Sequence, residues 1–152
     1  MREYNMSYLD DYKCSCSQCK IKSKDSFFVG YGKKTKFVLE NRSKCLISQY
    51  VVDDCLLNTV RREEKCDFLF DISENKIVYF VECKGSDILK AVTQIGSSIR
   101  ILKDDFTGYE MRGRVVSTKV YSPDMRTNSY KKLRGLLKGN LETKNIVCEE
   151  II

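Results

Sequence analysis

The stretch from Cys66 to Leu102 limits the fold more than any other part of the chain. Cys66 to Ile72 and Lys76 to Lys84 are short runs rich in aromatic and β-branched residues, joined at Ser73-Glu74-Asn75. Such runs read as two strands of a hairpin. From Ser86 the period changes. Ile88, Val92, Ile95, Ile99 and Leu102 recur every three or four residues, which is one face of an amphipathic helix reaching about Phe106. Ser86 is the expected N-cap, with Asp87 beside it favoured by the helix dipole. A hairpin that hands over to a one-faced helix must be covered by that helix, so a layered α/β arrangement follows.

The rest of the chain extends the pattern. Phe27-Phe28-Val29 and Lys36 to Leu39 suit a hairpin turning at Gly30 to Lys34, and Leu46 to Leu57 suits a strand, with a helix as the other option. Gly113 to Tyr121 alternates like a strand. Asn128 to Lys138 sets Leu133, Leu136 and Leu137 on one side of a helix, and Asn145 to Ile152 suits a closing strand. Residues 1–25 are polar and carry a Cys-x-Cys-x-x-Cys run. The expected fold is one 152-residue α/β domain, a central mixed β-sheet flanked by helices.

Several function classes drop out. There is no histidine, so His-based triads, His general bases and His metal sites are excluded. No apolar run approaches the roughly 20 residues of a membrane-spanning helix, and the charged N-terminal stretch reads as neither signal peptide nor anchor, so no membrane partner and a cytoplasmic location are expected. The formal charge of +6 is unevenly spread: residues 51–100 carry seven basic and nine acidic side chains, while the flanking thirds are basic. Arg112, Arg114, Lys119, Arg126, Lys131, Lys132, Arg134 and Lys138 face only Asp124 in the stretch 112–138. Basic flanks around an acidic middle suit a polyanion held beside a cation site, with Tyr121 and Tyr130 interleaved; a solvated lysine-rich surface is the plain alternative.

The chemistry concentrates at Asp67, Glu82 and Lys84. Four Glu-x-Lys triplets occur, but only Glu82-Cys83-Lys84 ends an apolar strand. There Glu82 and Lys84 share a face with Phe80, where an unpaired charge costs several kcal/mol. With a two-residue turn at Glu74-Asn75, paired positions set Asp67 opposite Glu82, with Cβ atoms roughly 5 Å apart. Two like charges so close repel unless they share a cation. Mg²⁺ suits one or two carboxylates and keeps waters for a phosphate to displace. An inert salt-bridged triad of Asp67, Glu82 and Lys84 is the competing reading.

Asp67, then Glu82-x-Lys84 after a hairpin, then a helix bearing Gln94, resembles the PD-(D/E)XK nuclease superfamily, with Cys66 where the motif has proline. The resemblance spans about residues 46–121. It implies a restriction-endonuclease-like fold and a Mg²⁺- or Mn²⁺-dependent endonuclease hydrolysing DNA. Asp67, Glu82 and the main-chain carbonyl of Cys83 would be metal ligands, Lys84 the catalytic lysine, and Gln94 a helical residue near the site. A further acid would be Glu40, Asp53 or Asp54. DNA is favoured over RNA, with Arg112, Arg114, Lys119, Lys131, Lys132 and Arg134 on the backbone, and a homodimer for double-strand cleavage. The alternative is a nuclease-fold protein without turnover, acting as a nucleic-acid-binding or regulatory module.

The remaining cysteines have their own readings. Cys14, Cys16 and Cys19, with Cys45 as fourth ligand, could hold zinc and stabilise a nucleic-acid binder; reduced thiols in a polar segment are favoured. Cys66 and Cys83, paired by the same register, are expected to face each other as small core residues.

Overall fold

A computed structural model describes residues 20–53, 64–83 and 85–152. They form nine strands and two α-helices: β1 Lys20–Ser23, β2 Phe27–Tyr31, β3 Lys36–Glu40, β4 Ile47–Val51, β5 Phe68–Ile72, β6 Ile77–Cys83, α1 Ile88–Leu102, β7 Glu110–Ser117, α2 Asn128–Leu136, β8 Leu141–Asn145 and β9 Val147–Ile151. The protein is mixed α/β. A six-stranded sheet runs β1-β4-β5-β6-β7-β8 and a three-stranded sheet runs β2-β3-β9. In the large sheet β1, β4, β5 and β6 are antiparallel neighbours, while β6, β7 and β8 are parallel. The β6–β7 connection carries α1, as a parallel pair requires.

Three layers result. Side chains alternate along β6, so Val78 and Phe80 face a core shared with Ile88, Ile95, Ile99 and Leu133 from the helices. Tyr79, Val81 and Cys83 face the other way, onto Phe28, Phe37, Leu39 and Cys148 of the small sheet. With both faces covered, β6 is buried at nearly every position, which explains its near-continuous apolar sequence.

The expected β5–β6 register is present, pairing Phe68 with Val81 and Ile72 with Ile77. The turn is longer than expected: Ser73 to Lys76 lie outside the ladder, and Lys76 takes a φ of 51°. The cap of α1 also differs. Asp87 accepts from Lys90 N–H at 2.9 Å, so it replaces Ser86 as N-cap. Two strands escaped the sequence reading. β1 is exposed and polar, and β8 carries only one buried residue, Leu141, so neither shows the apolar alternation that marks a half-buried strand.

Cys66 and Cys83 do not face each other. The β5–β6 ladder stops at Phe68, the chain bends at Asp67, and Cys66 N–H donates to Ser98 Oγ of α1 at 2.9 Å. Cys66 therefore joins the helix-side core, whereas Cys83 stays in the core under the small sheet. Cys45, Cys66, Cys83 and Cys148 are free and buried. Cys14, Cys16 and Cys19 lie outside the described residues. Among the described residues no helix is long and apolar enough to cross a membrane.

Candidate metal centre and nucleic-acid interface

Asp67 stands where β5 begins and β6 ends. It is half-buried and lines a cleft of about 930 Å³ together with Gly32, Lys34, Asp53, Cys83 and Ser86. Its Oδ2 accepts the Cys83 N–H at 3.0 Å, and its carbonyl accepts Val52 N–H at 2.9 Å. The main chain of Asp67 is thus tied to the end of β4 and its carboxylate to the end of β6. Thr118 N–H donates to the Gly85 carbonyl at 2.9 Å, which ties the entry to α1 against the chain leaving β7.

Glu82 shares its face of β6 with Phe80 and is 0% exposed, beneath the helix layer that carries buried Gln94. Cys83 follows Glu82 on the opposite, small-sheet face of β6 and donates its N–H to Asp67. Burial is the first cause that lifts its thiol, to about 12, followed by the charges of Asp67 and Glu82. The Cys66 thiol is also raised, first by burial, with Glu82 and Asp67 adding to it. Asp67 thus lies in the cleft with its Oδ2 on a main-chain N–H, whereas Glu82 is shut away beneath the helices.

Gly32 bears directly on the main-chain carbonyl of Cys83. A Cβ at residue 32 would lie 2.3 Å from that oxygen and 2.6 Å from Thr35 Oγ1. Only glycine lets the β2–β3 turn pack so closely on the end of β6, since any side chain would clash there. The ligand set that the resemblance implies, Asp67, Glu82 and the Cys83 carbonyl, would be all oxygen, a chemistry that suits Mg²⁺ or Mn²⁺. Among the described residues, three or more Asp, Glu or Cys side chains do not gather into a metal cage.

The other expected site residues are scattered. Lys84 and Asp54 lie outside the described residues. Asp53 lines the cleft and pairs with Lys65 at 3.8 Å. Glu40 does not reach the site. The β2–β3 turn points at the cleft, whereas Glu40 ends β3 roughly 13 Å further along the strand and pairs with Arg42.

The basic stretch divides in two. Lys119, Lys131, Lys132 and Arg134 are exposed. Arg114 is not available to a phosphate. It is 4% exposed, bonded through Nε to Glu150 and through Nη1 to the carbonyls of Gly113 and Asn140. Arg112 is bound to Glu110 and to the Tyr79 hydroxyl. Tyr130 is buried, its hydroxyl 3.0 Å from Thr143 Oγ1, so it is no base-stacking group either. The arginines and the tyrosine are consumed by packing between strands and helices, which a charge count does not register. The sequence reading set a turn at Gly30 to Lys34 but gave it no part in the site, and Gly32-Lys33-Lys34 lines the cleft beside Asp67. Its pair of lysines next to glycine was the available sign.

Comparisons with protein-family models, curated proteins and solved structures find no match.

Proposed function

We propose that this chain is a metal-dependent phosphodiesterase acting on DNA, of the PD-(D/E)XK kind with a restriction-endonuclease-like fold. Asp67 carries the reading: a half-buried carboxylate, anchored to Cys83 N–H at the end of the strand that bears Glu82, lining a wide cleft. Asp67, Glu82 and the Cys83 carbonyl would hold Mg²⁺ or Mn²⁺, with Asp53 an upstream acid that lines the same cleft as Asp67. The bound ion would acidify a water and offset charge on the phosphate. The main chain would do the positioning, since Cys83 N–H holds Asp67 and Gly32 lets the β2–β3 turn pack close against Cys83. Lys84 would stabilise charge on the phosphoryl oxygens. Exposed Lys119, Lys131, Lys132 and Arg134 would contact the DNA backbone, contributing affinity and register rather than sequence preference. One such site cuts one strand, so double-strand cleavage would take a homodimer.

A second reading draws support from the partners already present. Asp53 is paired with Lys65 and Asp67 Oδ2 with Cys83 N–H, contacts that satisfy these acids in a binding protein without turnover. Calorimetry with Mn²⁺ and a DNA cleavage assay separate the two. The nuclease reading expects Mn²⁺ uptake and cleavage that both disappear in Asp67→Asn and in Glu82→Gln. DNA binding with no Mn²⁺ uptake by the parent protein would instead select the second reading.

A further inference from the structure

The β2–β3 turn holds exposed groups that the proposed chemistry does not use. Tyr31 to Lys34 separate the large cleft from a smaller crevice of about 280 Å³ that reaches Ile146 and Val147. Tyr31 is 70% exposed, and Lys33 and Lys34 are exposed beside it. Alternation along β2 puts Phe28 and Gly30 inward and leaves Phe27 and Tyr31 on the outer face.

The turn is clamped rather than loose. A Cβ at Gly30 would lie 2.7 Å from the Phe68 ring, and one at Gly32 would meet the Cys83 carbonyl. Gly32 N–H also donates to the Thr35 carbonyl at 2.8 Å, closing the turn on itself. The backbone that carries two lysines and an exposed aromatic ring is therefore held in place on the wall that Asp67 shares.

This combination discriminates between forms of DNA. Single strands are held by lysines on phosphates and by aromatic rings under unpaired bases. A duplex hides its base faces in the stack, so it gains the lysine contacts but nothing from Tyr31. We propose that the β2–β3 turn grips an unpaired DNA strand entering the cleft, with Tyr31 stacking a base and Lys33 and Lys34 on its phosphates. The proposal names the substrate form for the site described above and so rests on that reading, although gripping the strand requires no metal.

The test is fluorescence anisotropy on the full chain in EDTA, with a labelled mixed-sequence single strand and the same strand annealed to its complement. The parent should prefer the single strand. Tyr31→Ala should weaken single-strand binding about tenfold and leave duplex binding in place. Lys33→Ser with Lys34→Ser should reduce the log–log salt slope for the single strand by about 1.4, or 0.7 per lost contact. All three side chains are exposed, so the circular dichroism spectrum should be unchanged. Equal affinity of the parent for both forms, or single-strand binding unmoved in both variants, overturns the proposal. Asp67→Asn keeps the two ideas apart. If it loses cleavage while the turn variants bind normally, the grip alone falls. If the turn variants fail to bind while Asp67→Asn still cleaves, the grip stands and the catalytic assignment falls.

Discussion

Glu150 on β9 and Arg114 on β7 join the two sheets through a buried ion pair, and removing the acid tests how much that junction matters. Arg114 is shut away from solvent, its guanidinium 5.4 Å from the centre of the Tyr79 ring. Glu150→Ala strands a buried cation. Breaking such a pair from one side costs about 3–5 kcal/mol, because the remaining charge is uncompensated. Two features reduce the cost here. Glu142 stands 3.6 Å from Arg114 Nε, although it is half exposed, and the Gly113 and Asn140 carbonyls keep their hydrogen bonds. A half-exposed acid recovers at most about 1 kcal/mol, which leaves a loss of about 2–4 kcal/mol. For a chain of this size that lowers the melting temperature by roughly 4–16 °C. Urea unfolding at low and high salt measures it, with Glu110→Ala as the internal control. Glu110 pairs with Arg112 at the surface, and its loss should cost under about 1 kcal/mol and fade with salt. The Glu150 loss should persist in salt, and Arg114→Met with Glu150→Leu should recover most of it. A Glu150→Ala effect as small and as salt-sensitive as the control would refute the reasoning.

Ser98→Ala should cost about 1–3 kcal/mol, since it orphans the buried Cys66 N–H that donates to Ser98 Oγ; amide exchange at Cys66 and the urea midpoint both read this, and full protection in the variant would show that the bond does not matter. Alkali should destabilise the fold through its buried thiols. Burial is the leading cause that raises Cys83 and Cys148 to about 12 in the folded state, against about 8.5 when unfolded. A raised folded pKa gives stability that is whole below about pH 8.5 and lost as pH climbs through about 12, at up to about 1.4 kcal/mol per pH unit for each thiol. Urea midpoints at pH 8 and pH 10 should therefore separate, and Cys148→Ala should narrow the gap.

Much of the fold was legible because burial writes itself into residue choice. The β6 run and the spacing of Ile88, Val92, Ile95 and Ile99 were unmistakable, and the shared register of β5 and β6 followed from turn position alone. What escaped lies where burial is slight or where one residue breaks a rule. β8 buries only Leu141, so its pairing with β7 leaves no periodic trace. A single bend at Asp67 moved Cys66 to the other core and turned a carboxylate expected to oppose Glu82 onto a main-chain donor. For the candidate site, Asp67 and Glu82 were singled out by their placement in an apolar hairpin. The close packing of Gly32 on Cys83 was invisible, because it depends on contact between segments far apart in sequence. Arg114 misled for the related reason that its partner, Glu150, lies on another strand.

The corner at Ile146 has a consequence for the order of assembly. Its N–H donates to Ser117 of β7 and its carbonyl accepts from Lys36 of β3, so a single peptide stitches both sheets, at a φ of 66° that a β-branched residue adopts only under constraint. β3 meets its parallel mate only once Val147–Ile151 has been synthesised, which sets Lys36 beside Val147 across almost the entire described chain. Closing so long a loop is entropically expensive and slow. A nascent polypeptide thus keeps one edge of the β2–β3 hairpin unzipped until Val147–Ile151 has emerged, so the cleft wall formed by that hairpin becomes rigid only after the strands and helices between them have been made.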